Sequence, residues 1–392
     1  MKSDWILTMA LMMPLISACG GGGDEPPAAL AATEPGLCPS SLDYNTIYTG
    51  GGGNGELVKL QLDTTRMTWQ ISYIESPIPA TTGTVVPTRA GTVATGTLTQ
   101  ETGLPSRRRN DCAFRLNGAS LDPSRPARVF VGFGVAAVPD TTFPYYPFIG
   151  FSSIETNLAN VAGTYSQLGY GQVPSRNFSP TTIDGKVIIN VDGTWQRCAP
   201  ICSQPGSNLT QSPDGSGAFV TSNYQSQVKP TLAATPQAKG YIIVGKLRNQ
   251  LVPIMIRTGV ANPNPHPDAN GVPGSTADDE SGISILAPQA SVAVDSRNGE
   301  YVGTDSRFDY LATALVNAQA TLLDPFNASQ ASLATALNLD YTQAVPGTVT
   351  STHVGASSTT PTGKFIFTGG VFGYLDNSNA TSPYFTIGAF VQ

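Results

Sequence analysis

Side chains of the kind that bind calcium are concentrated in the polar segment at residues 262–282. Carboxylate and amide oxygens are the ligands that Ca²⁺ prefers, and Gly271 would provide the sharp turn of a calcium loop. The candidate ligands are Asp268, Asn270, Asp278 and Asp279. In the register of an EF-hand, however, position 1 is His266 and position 12 is Ala277, and neither supplies a carboxylate. The pattern therefore predicts a solvated insertion between strands, with a Ca²⁺ site as the alternative and no other cofactor.

Aromatic side chains are concentrated at residues 143–151, where the sequence FPYYPFIGF has five aromatics among nine residues. If this stretch is exposed, Tyr145 and Tyr146 form a stacking platform for sugar rings or for a partner protein. If it is buried, alternate residues of the stretch fill a β core. Trp69 and Trp195 each follow a polar turn, and we expect both of them in the core.

The sequence contains none of the common hydrolase or metalloprotease motifs, such as G-x-S-x-G or H-E-x-x-H. Its two histidines, His266 and His353, leave few ways to build a histidine-based triad. Carboxylates are numerous enough for a glycosidase pair, but such a pair is defined by a distance in space. We therefore interpret the chain as non-enzymatic, and the alternative is a carbohydrate-active hydrolase that uses a carboxylate pair.

Nucleotides and nucleic acids are not expected as ligands. Gly50, Gly52 and Gly55 match the spacing of the dinucleotide fingerprint, but that motif must open a helix. Here the alternating stretch Glu56–Leu62 predicts a strand directly after the glycines, so they form a hairpin turn. The net charge of −6, with 21 Lys and Arg, argues against a basic surface that could neutralise phosphates.

The cysteines indicate an oxidising compartment. Apart from Cys19 near the N-terminus, the chain has four: Cys38, Cys112, Cys198 and Cys202. An even number in an exported chain predicts two disulfides, for which three pairings exist. Cys198 and Cys202 flank Pro200 in a loop, so we expect them to pair locally and Cys38 to pair with Cys112. The alternative, a redox or metal-binding motif, lacks the usual two-residue spacing and a nearby histidine.

Residues 1–18 have the features of an export signal. The apolar stretch Trp5–Ile16 is too short to span a bilayer but long enough for the core of a signal peptide. Ile16–Cys19 resembles the lipobox of bacterial lipoproteins, in which the chain is cut before the cysteine and the cysteine is acylated. The resemblance implies lipidation of Cys19, and Gly20 after it implies an outer-membrane lipoprotein anchored by its lipid. Residues 19–37, rich in Gly, Pro and Ala, would be the flexible tether.

Asn-Gly and Asp-Gly pairs, which favour tight hairpin turns, recur seven times along the rest of the chain. The runs between them alternate between apolar and polar residues or are continuously apolar, as strands are. Only residues 310–324 or 328–339, where Ala and Leu are dense, favour a helix, and strand remains the alternative there. The sequence therefore predicts an all-β fold with little helix.

Three passages resemble one another, at residues 128–151, 240–259 and 364–392. Each has an apolar strand, a glycine-bearing turn and a second apolar strand, which is the pattern of a repeated unit. We therefore predict three β modules of antiparallel strands and hairpins, at residues 38–157, 158–294 and 295–392. Together they would form one elongated or ring-like body, either propeller-like or made of barrel or sandwich modules.

The whole pattern of lipobox, poly-Gly stretch, tether and Gly/Thr-rich body resembles a family of uncharacterised β-proteobacterial outer-membrane lipoproteins. The similar stretches are the first 36 residues and, more loosely, Glu56–Gly118. The resemblance implies a location and no chemistry. We therefore predict a cell-envelope lipoprotein, with the membrane as one partner, whose β body binds a glycan or an envelope protein or serves as a structural spacer.

Overall fold

The computed structural model describes most of the chain from Thr46 onwards, and every structural statement below concerns the described residues. They are 46–77, 89–102, 112–118, 127–131, 135–137, 148–173, 179–199, 201–202, 207–221, 239–247, 249–259, 280–307, 310–324, 335–356 and 360–391. Within them the regular secondary structure is almost entirely strand, and no helix is long and apolar enough to cross a membrane.

The strands form three closed antiparallel barrels of eight strands each. The first contains β1 (Thr46–Gly52), β2 (Leu57–Asp63), β3 (Thr68–Glu75), β4 (Val93–Gln100), β5 (Ala113–Asn117), β6 (Arg128–Val131), β7 (Val135–Ala137) and β8 (Phe148–Phe151). A short 3-10 helix, Leu158–Asn160, precedes the second barrel. That barrel contains β9 (Gly163–Val173), β10 (Ser179–Ile189), β11 (Thr194–Cys198), β12 (Ser207–Gln211), β13 (Phe219–Thr221), β14 (Lys239–Leu247), β15 (Gln250–Thr258) and β16 (Ser281–Pro288). The third contains β17 (Gly299–Asp305), β18 (Tyr310–Val316), β19 (Gln319–Leu323), β20 (Thr335–Asp340), β21 (Thr348–His353), β22 (Gly363–Thr368), β23 (Val371–Asp376) and β24 (Tyr384–Phe390).

Each barrel lies within one of the three predicted modules, and the all-β fold is confirmed. The passages that resemble one another occupy the same place in each barrel, because all three begin at its sixth strand: β6, β14 and β22. The propeller alternative is wrong, since the first strand of each set of eight pairs with the last and closes a ring of its own.

The seam between the first and last strands depends on a glycine in every barrel. A Cβ on Gly50, Gly169 or Gly303 would lie well inside 3.0 Å of a backbone carbonyl oxygen of the last strand. These oxygens belong to Ile149, Ile283 and Ile387 respectively. Glycine therefore lets the two strands approach closely enough to close the ring.

Alternate residues of each strand point into the barrel and fill it with side chains, as small barrels require. Inside the first barrel, Trp69 is buried among Leu60, Leu98 and Phe114, as its position after a turn predicts. Inside the second, Trp195 is partly buried and packs against a core that includes Phe219 and Val244. The barrels are therefore packed bodies rather than open channels.

The predicted turns are confirmed in part. Asn54-Gly55, Asp192-Gly193 and Asp214-Gly215 connect consecutive strands, and their glycines have positive φ. Asp184-Gly185 lies instead in the middle of β10, where it pairs with Leu168 and Gln167 of β9. The turn predicted there is wrong, because the ladder with β9 runs through both residues, and β11 joins the other side of β10 from Lys186 onwards.

The helix predicted at residues 310–324 or 328–339 is also wrong. The described parts of this region are the strands β18, β19 and β20. Leu311, Leu315 and Leu337 are buried at alternating positions of these strands, inside the third barrel. Burial of every second residue therefore overrides the helix propensity of Ala and Leu.

One continuous apolar core joins the three barrels. It contains outward-facing residues of the second barrel: Leu168, Tyr170, Tyr241, Ile243, Val252, Ile254, Ile256, Ile283 and Ile285. Phe151 of the first barrel belongs to the same core, and its ring lies against Gly245 of β14. The hairpin between β22 and β23 of the third barrel approaches Val252 at Gly369. Because these outer faces are buried against one another, the second barrel serves as the support for the other two.

The link between the first and second barrels is fixed by Glu155. Its carboxylate accepts hydrogen bonds from the N–H of Asn157 at 2.8 Å and from the side-chain amide of Asn160 at 3.1 Å. Lys246 of β14 forms an ion pair with it at 3.1 Å. These contacts, with the Asn157 N–H as the largest cause, lower the pKa of Glu155 from 4.5 to about 2.

We expect Glu155→Gln to lower the free energy of unfolding at pH 7 and to matter less in acid. A depressed pKa stabilises the fold above the unfolded value of 4.5, and this stabilisation is lost as the pH falls towards 2. Chemical denaturation at pH 7 and pH 3 measures the difference. The matched control is Asp295→Asn, which changes an exposed carboxylate on the link to the third barrel. An equal loss in the Glu155 variant at both pH values would contradict the assignment.

Candidate functional site

Among the described residues, a cleft lies between the second and third barrels. Its volume is about 910 Å³, within the usual range for ligand sites. The second barrel contributes one wall through β9 and β10, and the third contributes the other through β21 and β22. Leu168 and Ile366, both fully buried, form its apolar floor.

The wall from the second barrel combines hydroxyl, charged and apolar groups. In the ladder, Lys186 lies opposite Ser166 on one side and Cys198 on the other, so these three residues form a row. Asp184 lies opposite Leu168 in the next row on the same face. Polar groups therefore stand above the apolar floor, which is the usual arrangement of a site that binds polar ligands.

The wall from the third barrel presents Thr348 and Thr350, which pair with Ile366 and Lys364 in the ladder. Lys364 reaches across the cleft and donates hydrogen bonds to both carboxylate oxygens of Asp184, at 2.8 and 2.6 Å. This ion pair is partly exposed, so its contribution to stability is small. Its main effect is to fix the distance between the two walls.

Two polar side chains that line the cleft lack an ion-pair or hydrogen-bond partner among the described residues. Among the described residues no carboxylate forms an ion pair with Lys186, which is half-buried. The hydroxyl of Thr350 is buried and has no hydrogen-bond partner in that part of the chain. A buried polar atom without a partner costs free energy, so a ligand that reaches it gains affinity.

An exposed apolar side chain is part of the cleft lining. Val345 lines the cleft and is 48% exposed. Cys198, which also lines it, forms the predicted disulfide with Cys202, and Ile201 in this small loop is 85% exposed. The cleft thus offers apolar contacts as well as hydrogen-bonding groups.

A second polar cluster lies at one end of the third barrel. His353 is within 2.7 Å of a carboxylate oxygen of Asp376, to which the Tyr374 hydroxyl donates a hydrogen bond at 3.2 Å. Burial alone would raise the pKa of Asp376, but hydrogen bonds from Ser378 and His353 outweigh it and hold the pKa below its usual value. Burial raises the pKa of Tyr374, and the neighbouring carboxylate adds to the effect. Because Tyr374 and Asp376 are buried, we assign the cluster to closure of the barrel end.

Several predicted site residues lie outside the described residues, so their roles remain predictions. They are Cys19, Cys38, Tyr145, Tyr146, Asp268, Asn270, Asp278 and Asp279. Cys112 is disulfide-bonded, and its predicted partner is Cys38. Glu280, which follows the candidate calcium ligands, is described and binds Thr181 and Arg257. In the described ranges, no group of three or more His, Cys, Asp or Glu side chains is placed to hold a metal ion.

The residues of the cleft have no signal of their own in the sequence. Asp184 has the context of a turn, and Lys364 lies at the start of an apolar strand. Their ion pair joins positions 180 residues apart, and no local pattern signals such a contact. The repeat is a signal for Lys364 alone, because Asp184 lies in none of the three passages that resemble one another.

Comparison with known proteins adds a family and no activity. No curated protein matches the chain. The family model described as "Protein of unknown function (DUF2957)" matches residues 68–137 and 135–389, which is most of the chain and includes strands of all three barrels. The chain therefore belongs to the DUF2957 family.

Proposed function

We propose that the protein is a lipoprotein of the outer membrane, anchored through Cys19, whose body of three barrels binds a ligand without chemical conversion. The N-terminal motif Ile16–Cys19 supports the anchor, and the glycine- and proline-rich tether supports a body held clear of the lipid headgroups. The ligand we favour is a glycan, and the alternative partner is another protein of the envelope.

The observation that carries this proposal is the preformed cleft between the second and third barrels. Its walls belong to closed barrels that share one apolar core, so the cleft has little freedom to collapse. Hydroxyl and amide side chains line it, including Ser166, Thr348, Gln289 and Gln343. These groups both donate and accept hydrogen bonds, as the hydroxyl groups of a sugar do.

The same cleft gives no support to the hydrolase alternative. Glycoside hydrolysis requires two carboxyl groups about 5–10 Å apart. Among the described residues that line the cleft, Asp184 is the one carboxylate, and Lys364 holds it in a bidentate ion pair. A carboxylate neutralised in this way is poorly suited to act as nucleophile or base.

Protease treatment of intact cells, followed by a blot for the protein, tests the anchor and the location. We expect Cys19→Ala to release the protein from the membrane fraction. Loss of the band in intact wild-type cells would place the body on the cell surface, and digestion only after lysis would place it in the periplasm. If the Cys19 variant stays in the membrane fraction, the lipoprotein proposal is wrong.

Binding to a glycan array, with the full chain purified in detergent, tests the function of the cleft. We expect Ala199→Trp to reduce glycan binding at least about tenfold, because an indole would fill space beside Cys198 on the wall. Ala318→Trp is the matched control, since Ala318 is also exposed but lies in the turn between β18 and β19. No glycan bound by the wild-type chain, or equal binding by both variants, would contradict the proposal. Release of reducing ends from a bound glycan would favour the hydrolase instead.

A further inference from the structure

The charges in the cleft between the second and third barrels do not cancel. Of the described residues, two lysines and one aspartate line it, and Lys364 is already paired with Asp184 through both carboxylate oxygens. Lys186 is left with no ion pair among the described residues. Lys186 lies two residues after Asp184 on the same face of β10, so both residues line the same cleft.

The residues around Lys186 leave its positive charge available to a ligand. Its neighbours across the strands are Ser166 and Cys198, and neither carries a charge at neutral pH in this structure. Asp184 is the nearest carboxylate along the strand, and Lys364 occupies both of its oxygens. An anionic group in the cleft would therefore find an ammonium group that no carboxylate of the described residues neutralises.

Thr350 gives independent support for a ligand at this place. Its hydroxyl is buried and has no hydrogen-bond partner among the residues that the structure describes, and the residue lies opposite Lys364 in the ladder of the facing wall. A ligand that carries both an anionic group and hydroxyl groups would satisfy Lys186 and Thr350 together. The neutral amides of Gln289 and Gln343, which also line the cleft, suit the remaining hydroxyl groups.

We propose that the cleft selects acidic saccharides, and that Lys186 binds their carboxylate or phosphate group. This inference rests on the proposed function, because it names the class of glycan that the cleft binds. A hydrogen bond between an ammonium group and an anion is stronger than one between neutral groups, so the charge of the sugar determines the preference. Because the lysine ammonium group acts as a point charge, it binds a carboxylate and a phosphate equally readily.

Three ligands of equal length, measured by calorimetry on the full chain in detergent, test the inference. They are a galacturonate trisaccharide, the neutral galactose trisaccharide, and the galactose trisaccharide bearing 6-phosphate groups. We expect at least one acidic ligand to bind about tenfold more tightly than the neutral one, and the two acidic arms identify which anion is preferred. Added salt should reduce this advantage, because ions screen the charge.

Variants of Lys186 separate a specific ion pair from general charge. Lys186→Gln should abolish the tenfold preference, and Lys186→Arg should restore most of it. Lys59→Gln removes the same charge from β2 of the first barrel, outside the cleft, and should leave the preference unchanged. Equal affinity for neutral and acidic ligands, or an unchanged preference in Lys186→Gln, would overturn the inference while the proposed glycan binding stands. Failure of all three ligands, together with an empty glycan array, would overturn both.

Discussion

Replacement of Gly303 by alanine is expected to prevent closure of the third barrel. A Cβ at this position would meet the carbonyl oxygen of Ile387 on β24, and a backbone atom in a ladder cannot move aside without breaking hydrogen bonds. We expect a loss of about 3 kcal/mol or more in the free energy of unfolding, at the upper end of the usual cost of overpacking. Urea denaturation of the full chain in detergent, followed by circular dichroism, measures the loss.

Gly163→Ala is the control for this variant. Gly163 begins β9, its φ is not positive, and an added Cβ there would make only ordinary van der Waals contacts. The control should therefore change stability by less than about 1 kcal/mol, as a substitution away from special features does. If both glycine variants unfold at the same denaturant concentration, close approach at the seam is not what closes the barrel.

The strands and their grouping into three units could be predicted because the signals are local or repeated. The stretch from Glu56 to Tyr73 alternates around an Asp-Thr-Thr turn, and the structure has β2 and β3 on either side of that turn. The continuous apolar runs at Tyr241–Gly245 and Leu251–Ile256 indicated strands buried on both faces. These runs form β14 and β15, which face the interior of their barrel on one side and the shared core on the other.

The closure of each ring and the position of the cleft could not be predicted, because they depend on contacts far apart in sequence. Nothing in the sequence around Gly303 distinguishes it from other strand glycines, because its close contact is with the distant residue Ile387. Asp184-Gly185 has the sequence of a turn, yet the long ladder between β9 and β10 runs through it and makes it mid-strand. A dipeptide preference is worth little against a continuous ladder of hydrogen bonds, so tertiary pairing determines the local structure there.

The second large effect is expected from Phe151→Ala, which tests whether the barrels are coupled. Phe151 is 1% exposed, and its ring packs against Gly245 of the second barrel. Truncation leaves a cavity between two outer walls that cannot collapse, at a cost of about 3–5 kcal/mol. Because the cavity lies between barrels, hydrogen exchange should accelerate at the amides of β14 as well as at those of β8.

Phe114→Ala is the matched control, because Phe114 is equally buried but points into the first barrel. This variant should lose a similar free energy of unfolding, while the protection of β14 changes far less. The comparison separates a cavity inside one barrel from a cavity between two, since total stability alone would not distinguish them. Unchanged exchange at β14 in the Phe151 variant would mean that the first two barrels open independently. The second barrel would then not serve as the support for the first, although both contribute residues to one apolar core.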